Sequence, residues 1–210
     1  MKKIRHRPQS IESNILDRVH GSGRGSVFVP AEFLDLGNRQ GVDFALHRLT
    51  KQGVLRRLAR GLYDYPKLHR QLGPLSPSVD ASAEALAGRD RLRIQPSGAY
   101  AANLLHLSEQ VPAKAVFLTD GPSRRLMVGA QEIVLRRTTP RTMAAAGRMS
   151  GLVIQGLKHL GQPHVTMERI APLRKLLSEK DRKQLKQDIA LAPAWMRPFL
   201  QRVAEGEEHL

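Results

Sequence analysis

Hydrophobic residues recur at helical spacing near the start of the chain. Ile11, Ile15 and Val19 lie four positions apart, which places them on one face of a helix. Ser10 precedes them and belongs to the residue types that cap helix N-termini. This pattern predicts a first helix over residues 10–19.

A strand and a second helix are predicted next. Residues 26–29 include the β-branched and aromatic side chains of a short strand. Pro30 suits the first turn of a helix, because its missing N–H group needs no partner there, and Gly37 is typical of a position just past a helix end. We therefore predict a second helix over residues 30–37.

A third helix, predicted over residues 39–52, has one apolar and one polar face. Val42, Ala45, Leu46 and Leu49 form the apolar stripe. The rest of the helix surface carries mostly residues that can bind base edges or phosphates: Arg39, Gln40, Asp43, His47 and Lys51, with Arg48 on a flank and Phe44 also pointing outward. A helix of this length spans about 20 Å, enough to lie in the major groove of DNA.

A basic hairpin is predicted over residues 54–65. Two strand-like halves flank residues 59–61, and the glycine of that turn can adopt the positive φ that a tight hairpin needs. Arg56, Arg57 and Arg60 would then project near the tip towards a sugar-phosphate backbone or a narrow minor groove. The order of elements is that of a winged helix-turn-helix, which makes double-stranded DNA the expected partner. A solvated hairpin whose arginines serve solubility is the alternative.

The pattern changes beyond residue 71. Residues 72–80, rich in proline and serine, predict a linker. Farther along, helices and strands are mixed: helices over residues 81–87, 98–107, 150–160, 166–177 and 179–191 and a last one containing Trp195, Phe199 and Val203, and strands over residues 115–118, 125–128 and 132–137. We predict an α-rich α+β protein, with a winged helix-turn-helix over residues 1–71 and a mixed α/β C-terminal domain over residues 81–210.

Two short segments in the second half are predicted to serve turn geometry. Residues 95–98 and residues 119–122 each contain proline and glycine beside small polar residues. Such residues favour turns through local hydrogen bonds and positive φ. Ser178 is the predicted N-cap of the helix over residues 179–191.

The composition adds a strong positive charge. The 210 residues include 34 Lys and Arg against 19 Asp and Glu, a net charge of +15, with 41% hydrophobic residues. The net charge is +8 over residues 1–70, +2 over residues 71–140 and +5 over residues 141–210. A positive field concentrated at the predicted winged-helix end suits binding to a polyanion with release of counterions.

Composition also limits the chemistry and the cellular location that we expect for the protein. The chain has no cysteine, which excludes disulfides, thiolate catalysis and cysteine-ligated zinc. No apolar stretch approaches the roughly 18 residues of a bilayer span, and the basic N-terminus lacks the apolar segment of a signal peptide. We expect a cytoplasmic protein that does not bind membranes.

An RNA- or ribosome-associated binding protein is the alternative that the basic charge leaves open. RNA readers expose aromatic side chains for base stacking, yet only 4% of this chain is aromatic. The composition therefore favours DNA.

The residue pattern offers little for catalysis or metal binding. Asp120 and Glu132 come closest to the paired carboxylates of a magnesium-dependent nuclease, but the lysine expected two positions after Glu132 is Val134. His159 and His164 lack a third ligand at metal spacing. We expect no enzyme, no catalytic residues, no metal site and no cofactor.

The chain resembles the AbiEi family of antitoxins, from bacterial AbiE-type toxin–antitoxin pairs, in five segments: FLDLG, RRLARGLYDYP, QPSGAYAANLLHLSEQVPAK, FLTDGPSR and IVLRRTTPR. They occur in the same order across residues 27–160. The resemblance implies an N-terminal winged helix that represses its own operon at inverted repeats. It also implies a C-terminal domain that neutralises a nucleotidyltransferase-like toxin in a phage-defence system.

Two sets of residues become candidates. The DNA-contacting set comprises Arg39, Gln40, His47, Arg48, Lys51, Arg56, Arg57 and Arg60. The antitoxicity set rests on chemistry alone, as a basic surface near the central strands: Arg124, Arg125, Arg136, Arg137 and Arg141. The alternative for the second set is solvated strand edges that charge protects from pairing.

Overall fold

The structure is a computed structural model that describes residues 10–205. The basic segment at positions 1–9 lies outside the described residues. The fold is α+β, as predicted. The chain divides into unit 1, Met1–Asp90 with Met127–Ala130, and unit 2, Arg91–Leu126 with Gln131–Leu210.

Unit 1 contains two α-helices and a small antiparallel sheet in its first part. The elements are α1 (Ile11–Ser22), β1 (Val27–Phe28), α2 (Arg39–Lys51), β2 (Arg56–Ala59) and β3 (Leu62–Asp64). The strand order is β1-β3-β2, so the hairpin β2–β3 pairs with the short strand that follows α1. The first helix, the third helix and the hairpin therefore lie where the hydrophobic pattern predicted them.

The second predicted helix is wrong in type and length. Residues 30–37 contain one 3₁₀ turn, Pro30–Phe33, instead of an α-helix. The carbonyl of Glu32 accepts a hydrogen bond from the Arg18 guanidinium at 2.5 Å, and that guanidinium also binds both carboxylate oxygens of Asp35. The next backbone hydrogen bond, from the Leu36 amide to the Phe33 carbonyl, again spans three residues, so the segment does not widen into an α-helix.

The core of unit 1 forms where α1, α2 and the sheet meet. It consists of apolar side chains that the helical and strand periods place inward: Ile15, Val19, Phe28, Phe33, Val42, Ala45, Leu46, Leu49 and Leu55. Burial of these side chains contributes roughly 25 cal/mol per Å² of apolar surface. This contribution fixes α2 with its other face outward.

The boundary between the units lies after Asp90, later than the linker predicted over residues 72–80. That segment contains β5 (Gly73–Pro74), which pairs with β4 (Leu68–His69), and it ends in α3 (Val79–Asp90). Helix α3 packs against β1 and β3, which makes it part of unit 1. Composition alone suggested a linker, but tertiary contacts hold the segment in place.

Up to residue 205, unit 2 combines a four-stranded sheet with five α-helices. The elements are β6 (Ile94–Ser97), α4 (Gly98–Leu104), β7 (Lys114–Thr119), β8 (Arg124–Val128, whose last two residues are grouped with unit 1), β9 (Gln131–Arg137), α5 (Met149–Leu160), α6 (Met167–Leu176), α7 (Glu179–Asp188) and α8 (Arg197–Glu205). The strand order is β6-β7-β9-β8, with β7 and β9 parallel. Helices α4 and α5 pack on β6, and the remaining helices complete the apolar core around Leu157, Ile170 and Leu200.

The turn predicted over residues 95–98 is largely wrong. Gln95, Pro96 and Ser97 form β6, and Gly98, with φ of 62°, starts α4. Strand β6 lies at an edge of the sheet, the position that tolerates a proline because one side of the strand needs no hydrogen-bond donor. The predicted N-cap, Ser178, is confirmed by the hydrogen bond that its hydroxyl accepts from the Asp181 amide.

Candidate nucleic-acid interface

Helix α2 presents a polar face to solvent because its other face is anchored. Its N-cap is Asn38, whose side-chain oxygen accepts a hydrogen bond from the Gly41 amide at 2.8 Å. All four residues of the predicted apolar stripe are buried. The helix can therefore neither rotate nor shift without exposing that stripe, and the polar side chains keep one direction.

The predicted contact residues on α2 are all exposed. Arg39, Gln40, His47 and Lys51 lie on the open face. Arg39 donates to the Asp43 carboxylate at 2.9 Å and keeps 61% of its side chain exposed. An exposed pair of this spacing contributes only about 0.5 kcal/mol, so Arg39 can exchange Asp43 for a stronger partner.

Arg48 has a second role that the sequence did not indicate. Its guanidinium lies 3.2 Å from the Glu12 carboxylate on α1, and Gln52 donates to the same carboxylate at 3.0 Å. These contacts join the flank of α2 to α1. The Arg48 side chain remains largely exposed, so a phosphate contact is compatible with this position.

The hairpin β2–β3 separates its three arginines. Arg57 and Arg60 are exposed, and the turn beside Arg60 depends on Gly61, whose φ is 68°. A residue with a Cβ atom would be strained in that conformation. The turn predicted from the glycine is therefore confirmed, and two of the three arginines are available at its surface.

Arg56 has a structural role that the sequence did not indicate, and its contact with DNA stays a prediction. Its guanidinium binds both carboxylate oxygens of Asp64, at 3.1 and 2.7 Å, and donates to the carbonyl of Leu75 at 2.8 Å. The Asp64 side chain is 0% exposed. The hydrogen bond with Asp64 raises the pKa of Arg56 above its ordinary value. Strand alternation turns Arg56 inward and leaves its neighbour Arg57 outside.

One groove of unit 1 brings together arginines from three elements. It has a volume of about 650 Å³ and is lined by Arg39 and Asp43 of α2, Arg57 and Arg60 of the hairpin, Tyr63 of β3 and Arg89 of α3. Arg89 donates to the carbonyl of Arg60 at 3.3 Å and so also holds the hairpin turn. Two of the four guanidinium groups have a carboxylate partner, Asp43 for Arg39 and Asp90 for Arg89, so the groove keeps a net positive charge.

Sequence reasoning missed Arg89. The predicted linker over residues 72–80 assigns the helix that carries this residue to the second domain. A single arginine near a helix end also has no local pattern that would indicate a binding role. Only the packing of α3 on unit 1 shows that Arg89 belongs to the groove.

The structure brings three of the five residues predicted for antitoxicity to one depression. Arg124, Arg125 and Arg136 line a shallow depression of about 300 Å³ on β8 and β9. Arg137 is exposed at the end of β9, and its backbone amide donates to the Ser123 hydroxyl. Arg141 lines a different cavity, beside α5.

The carboxylates considered for a nuclease lie far apart. In the parallel pair, Lys114 of β7 is opposite Glu132 of β9, and Thr119 is opposite Arg137. Asp120 follows Thr119, so roughly 20 Å of strand separates it from the Glu132 end. Each carboxylate has its own cation, Arg93 for Asp120 and Lys114 for Glu132. The hydrogen bond from Arg93 lowers the pKa of Asp120.

The two histidines weighed as metal ligands lie at the surface of unit 2. His159 is near the end of α5 and His164 in a short 3₁₀ turn, and both are exposed. Across residues 10–205, no three His, Asp or Glu side chains are grouped so that they could hold a metal ion. Within that range, no helix has the length and apolar character needed to span a bilayer.

Comparison with known proteins gives a family but no activity. No curated protein matches the chain. One family model matches residues 14–185, a stretch that includes most of both units. The chain therefore belongs to DUF6088, a family of unknown function.

Proposed function

We propose that the protein binds double-stranded DNA through unit 1, as a winged helix-turn-helix. Helix α2 enters the major groove, and the β2–β3 hairpin lies against the neighbouring backbone. The observation that carries this proposal is the groove in which Arg39, Arg57, Arg60 and Arg89 converge beside the exposed face of α2. Such an arrangement can hold two phosphates while side chains of α2 contact base edges.

The charge of the groove favours a polyanion over a small acidic ligand. Its arginines come from two helices and a hairpin, and they surround an open depression instead of a closed cavity. Phosphates along a duplex repeat at distances that a broad basic surface can meet, and each contact releases a counterion. Gln40, His47 and Lys51 extend the same surface along α2.

Exposed aromatic side chains are few, which supports duplex DNA over RNA. Of the large hydrophobic side chains exposed between residues 10 and 205, one is aromatic, Phe44 on α2. Proteins that bind single-stranded RNA stack bases on several exposed rings. A single ring on the face of α2 suits contact with a thymine methyl group instead.

Binding is tested by fluorescence anisotropy with a duplex from the region upstream of the gene and a random duplex of equal length. The upstream duplex should bind more tightly, and structured or single-stranded RNA should compete poorly. Preferential loss of the complex to RNA would favour an RNA- or ribosome-associated role. Absence of binding to either duplex at low ionic strength would reject the proposal.

The hairpin arginines should contribute affinity without sequence preference. We expect the double variant Arg57→Ala/Arg60→Ala to weaken binding to both duplexes equally, because these side chains meet the backbone. The slope of log affinity against log salt concentration should fall by about 2, because each arginine neutralises about one phosphate. Lys180→Ala, on α7 of unit 2, is the matched control and should leave both values unchanged. A weakening confined to the upstream duplex would contradict the assignment.

We further propose that the protein is a cytoplasmic antitoxin that represses its own operon at inverted repeats. In this proposal unit 2 neutralises a nucleotidyltransferase-like toxin. The support is the five-segment resemblance to AbiEi antitoxins, together with the arginine-lined depression on β8 and β9. The toxin is a functional partner, and neutralisation does not require the two proteins to form a complex.

Co-expression with the product of the neighbouring reading frame tests this second step. If that product is a nucleotidyltransferase that stops growth, the full-length protein should restore growth. Arg125→Glu/Arg136→Glu should lose the rescue while keeping binding to promoter DNA, because both side chains are exposed on unit 2. Lys180→Glu is the control. Failure of the unaltered protein to restore growth would reject the antitoxin proposal. Full restoration of growth by the double variant would show that residues other than Arg125 and Arg136 neutralise the toxin.

A further inference from the structure

A second cationic site lies in unit 2. A cavity of about 250 Å³, open to solvent on one side, lies between the 3₁₀ turn Thr142–Ala145, helix α5 and the loop that precedes α8. Arg141, Lys158 and Arg197 line it from three different elements. Neither the DNA-binding proposal nor the family match assigns it a role.

The charge in this cavity is not compensated by the side chains around it. No carboxylate is among the residues that line the cavity. Arg141 and Lys158 make no ion pair within residues 10–205, and Arg197 donates only to the carbonyls of Ala192 and Ala190, at 3.3 and 3.5 Å. The nearby buried carboxylate, Asp188, is paired with Arg148 outside the cavity.

The cavity also has a polar floor and an apolar wall. The buried Gln155 lies at the floor and accepts a hydrogen bond from the Ser97 hydroxyl at 3.2 Å. Ile154, Leu191 and Pro193 form the apolar side. A ligand that is anionic at one end and partly apolar at the other would meet both kinds of surface.

A glycine keeps the floor close to the 3₁₀ turn. A Cβ atom at Gly151 would lie 2.3 Å from the carbonyl oxygen of Ala145 and 2.6 Å from the side-chain oxygen of Gln95. Glycine at this position lets α5 approach the turn that brings Arg141 to the cavity. The close approach of α5 to this turn is therefore built into the packing of unit 2.

We propose that this cavity binds the phosphate group of a small phosphorylated compound, of mononucleotide size or smaller. Three cations at one cavity match the charge of a phosphate monoester, and guanidinium groups bind such oxygens in paired, charge-assisted hydrogen bonds. The volume lies just below the range of roughly 300 to 1,000 Å³ that is typical of ligand pockets, which limits the part of a ligand inside it to about the size of one nucleotide. The apolar wall accommodates the carbon portion of the ligand.

Calorimetric titration of the full-length protein with inorganic pyrophosphate, AMP and adenosine tests the proposal at constant ionic strength. Pyrophosphate and AMP should bind, and adenosine, which lacks the phosphate, should not. Lys158→Gln and Arg141→Gln should each weaken AMP binding by about tenfold or more, since each removes a charge-assisted hydrogen bond. Lys180→Gln, an exposed lysine of α7, removes the same charge away from the cavity and should bind as the unaltered protein does.

Several results would overturn the proposal. One is binding of adenosine as tight as that of AMP, and another is an affinity for AMP in the Lys158→Gln and Arg141→Gln variants equal to that of the unaltered protein. The others are displacement of AMP by duplex DNA without terminal phosphates, and absence of binding heat with both phosphate compounds. Thermal unfolding without ligand verifies that both variants are folded. Both variants should bind promoter DNA as the unaltered protein does. Loss of AMP binding and loss of DNA binding are therefore measured separately, and each tests its own proposal.

Discussion

Replacing Arg56 with glutamine should lower the free energy of unfolding of unit 1 by about 3 kcal/mol. The side chain of Asp64 is completely buried, and Arg56 supplies its cation through two hydrogen bonds. Glutamine leaves that carboxylate without a counter-charge, and the carbonyl of Leu75 also loses a donor. Urea unfolding followed by far-UV circular dichroism measures the destabilisation.

The chain offers a matched control one residue away. Arg57→Gln removes the same charge from the same strand, but its side chain is exposed, so stability should change by less than about 0.5 kcal/mol. The single tryptophan, Trp195, belongs to the core of unit 2, and its fluorescence serves as an internal reference. Arg56→Gln/Asp64→Asn should recover part of the stability, because no unpaired charge is then buried at residue 64. Equal stability of Arg56→Gln and Arg57→Gln would show that the pair has no structural role.

The second large effect concerns sequence discrimination by the proposed reading helix. We expect Arg39→Ala and Gln40→Ala each to weaken binding to the promoter duplex by about 1 to 3 kcal/mol, the contribution of one bidentate hydrogen-bond pair to a base. Binding to random DNA should change much less, because these side chains lie in the first turn of α2, the part of a recognition helix that meets base edges. Anisotropy titrations on the two duplexes give the difference directly.

Asp43→Asn provides the control for this prediction. It removes the ion pair of Arg39 and keeps the length and polarity of the side chain. Removal of a negative charge from the groove should strengthen binding to both duplexes slightly. If Arg39→Ala and Gln40→Ala weakened binding to random DNA as much as to the promoter, the first turn of α2 would not read bases.

Local patterns predicted those elements whose partners are close in sequence. The apolar spacing of α2 identified every buried residue of that helix, and Gly61 identified the hairpin turn. Caps at Ser10 and Ser178 were recognisable because a capping side chain bonds an amide three positions away. In these cases the sequence contains both partners of the interaction within a few residues.

Patterns failed where a distant partner changed the outcome. The segment after Pro30 begins as a helix should, but its backbone hydrogen bonds keep the 3₁₀ spacing, and Arg18 of α1 binds the Glu32 carbonyl and the Asp35 carboxylate. The proline- and serine-rich segment before α3 resembles a linker, yet α3 packs on the sheet of unit 1. Residues 95–97 have the composition of a turn and pair with β7 instead.

The sequence by itself determined that this protein has a basic first part with an amphipathic helix followed by an arginine-rich hairpin, the order from which we predict DNA binding. Only the tertiary structure decided which arginines are free to act. Arg56 and Arg57 are adjacent and chemically identical. Arg56 forms an ion pair with the buried Asp64, whereas Arg57 lines the groove. Arg89 enters that groove from a helix far along the chain. Whether a charged side chain is paired inside the protein or exposed at a groove depends on the residues that surround it in space. These residues are distant in sequence, so no local pattern can identify them.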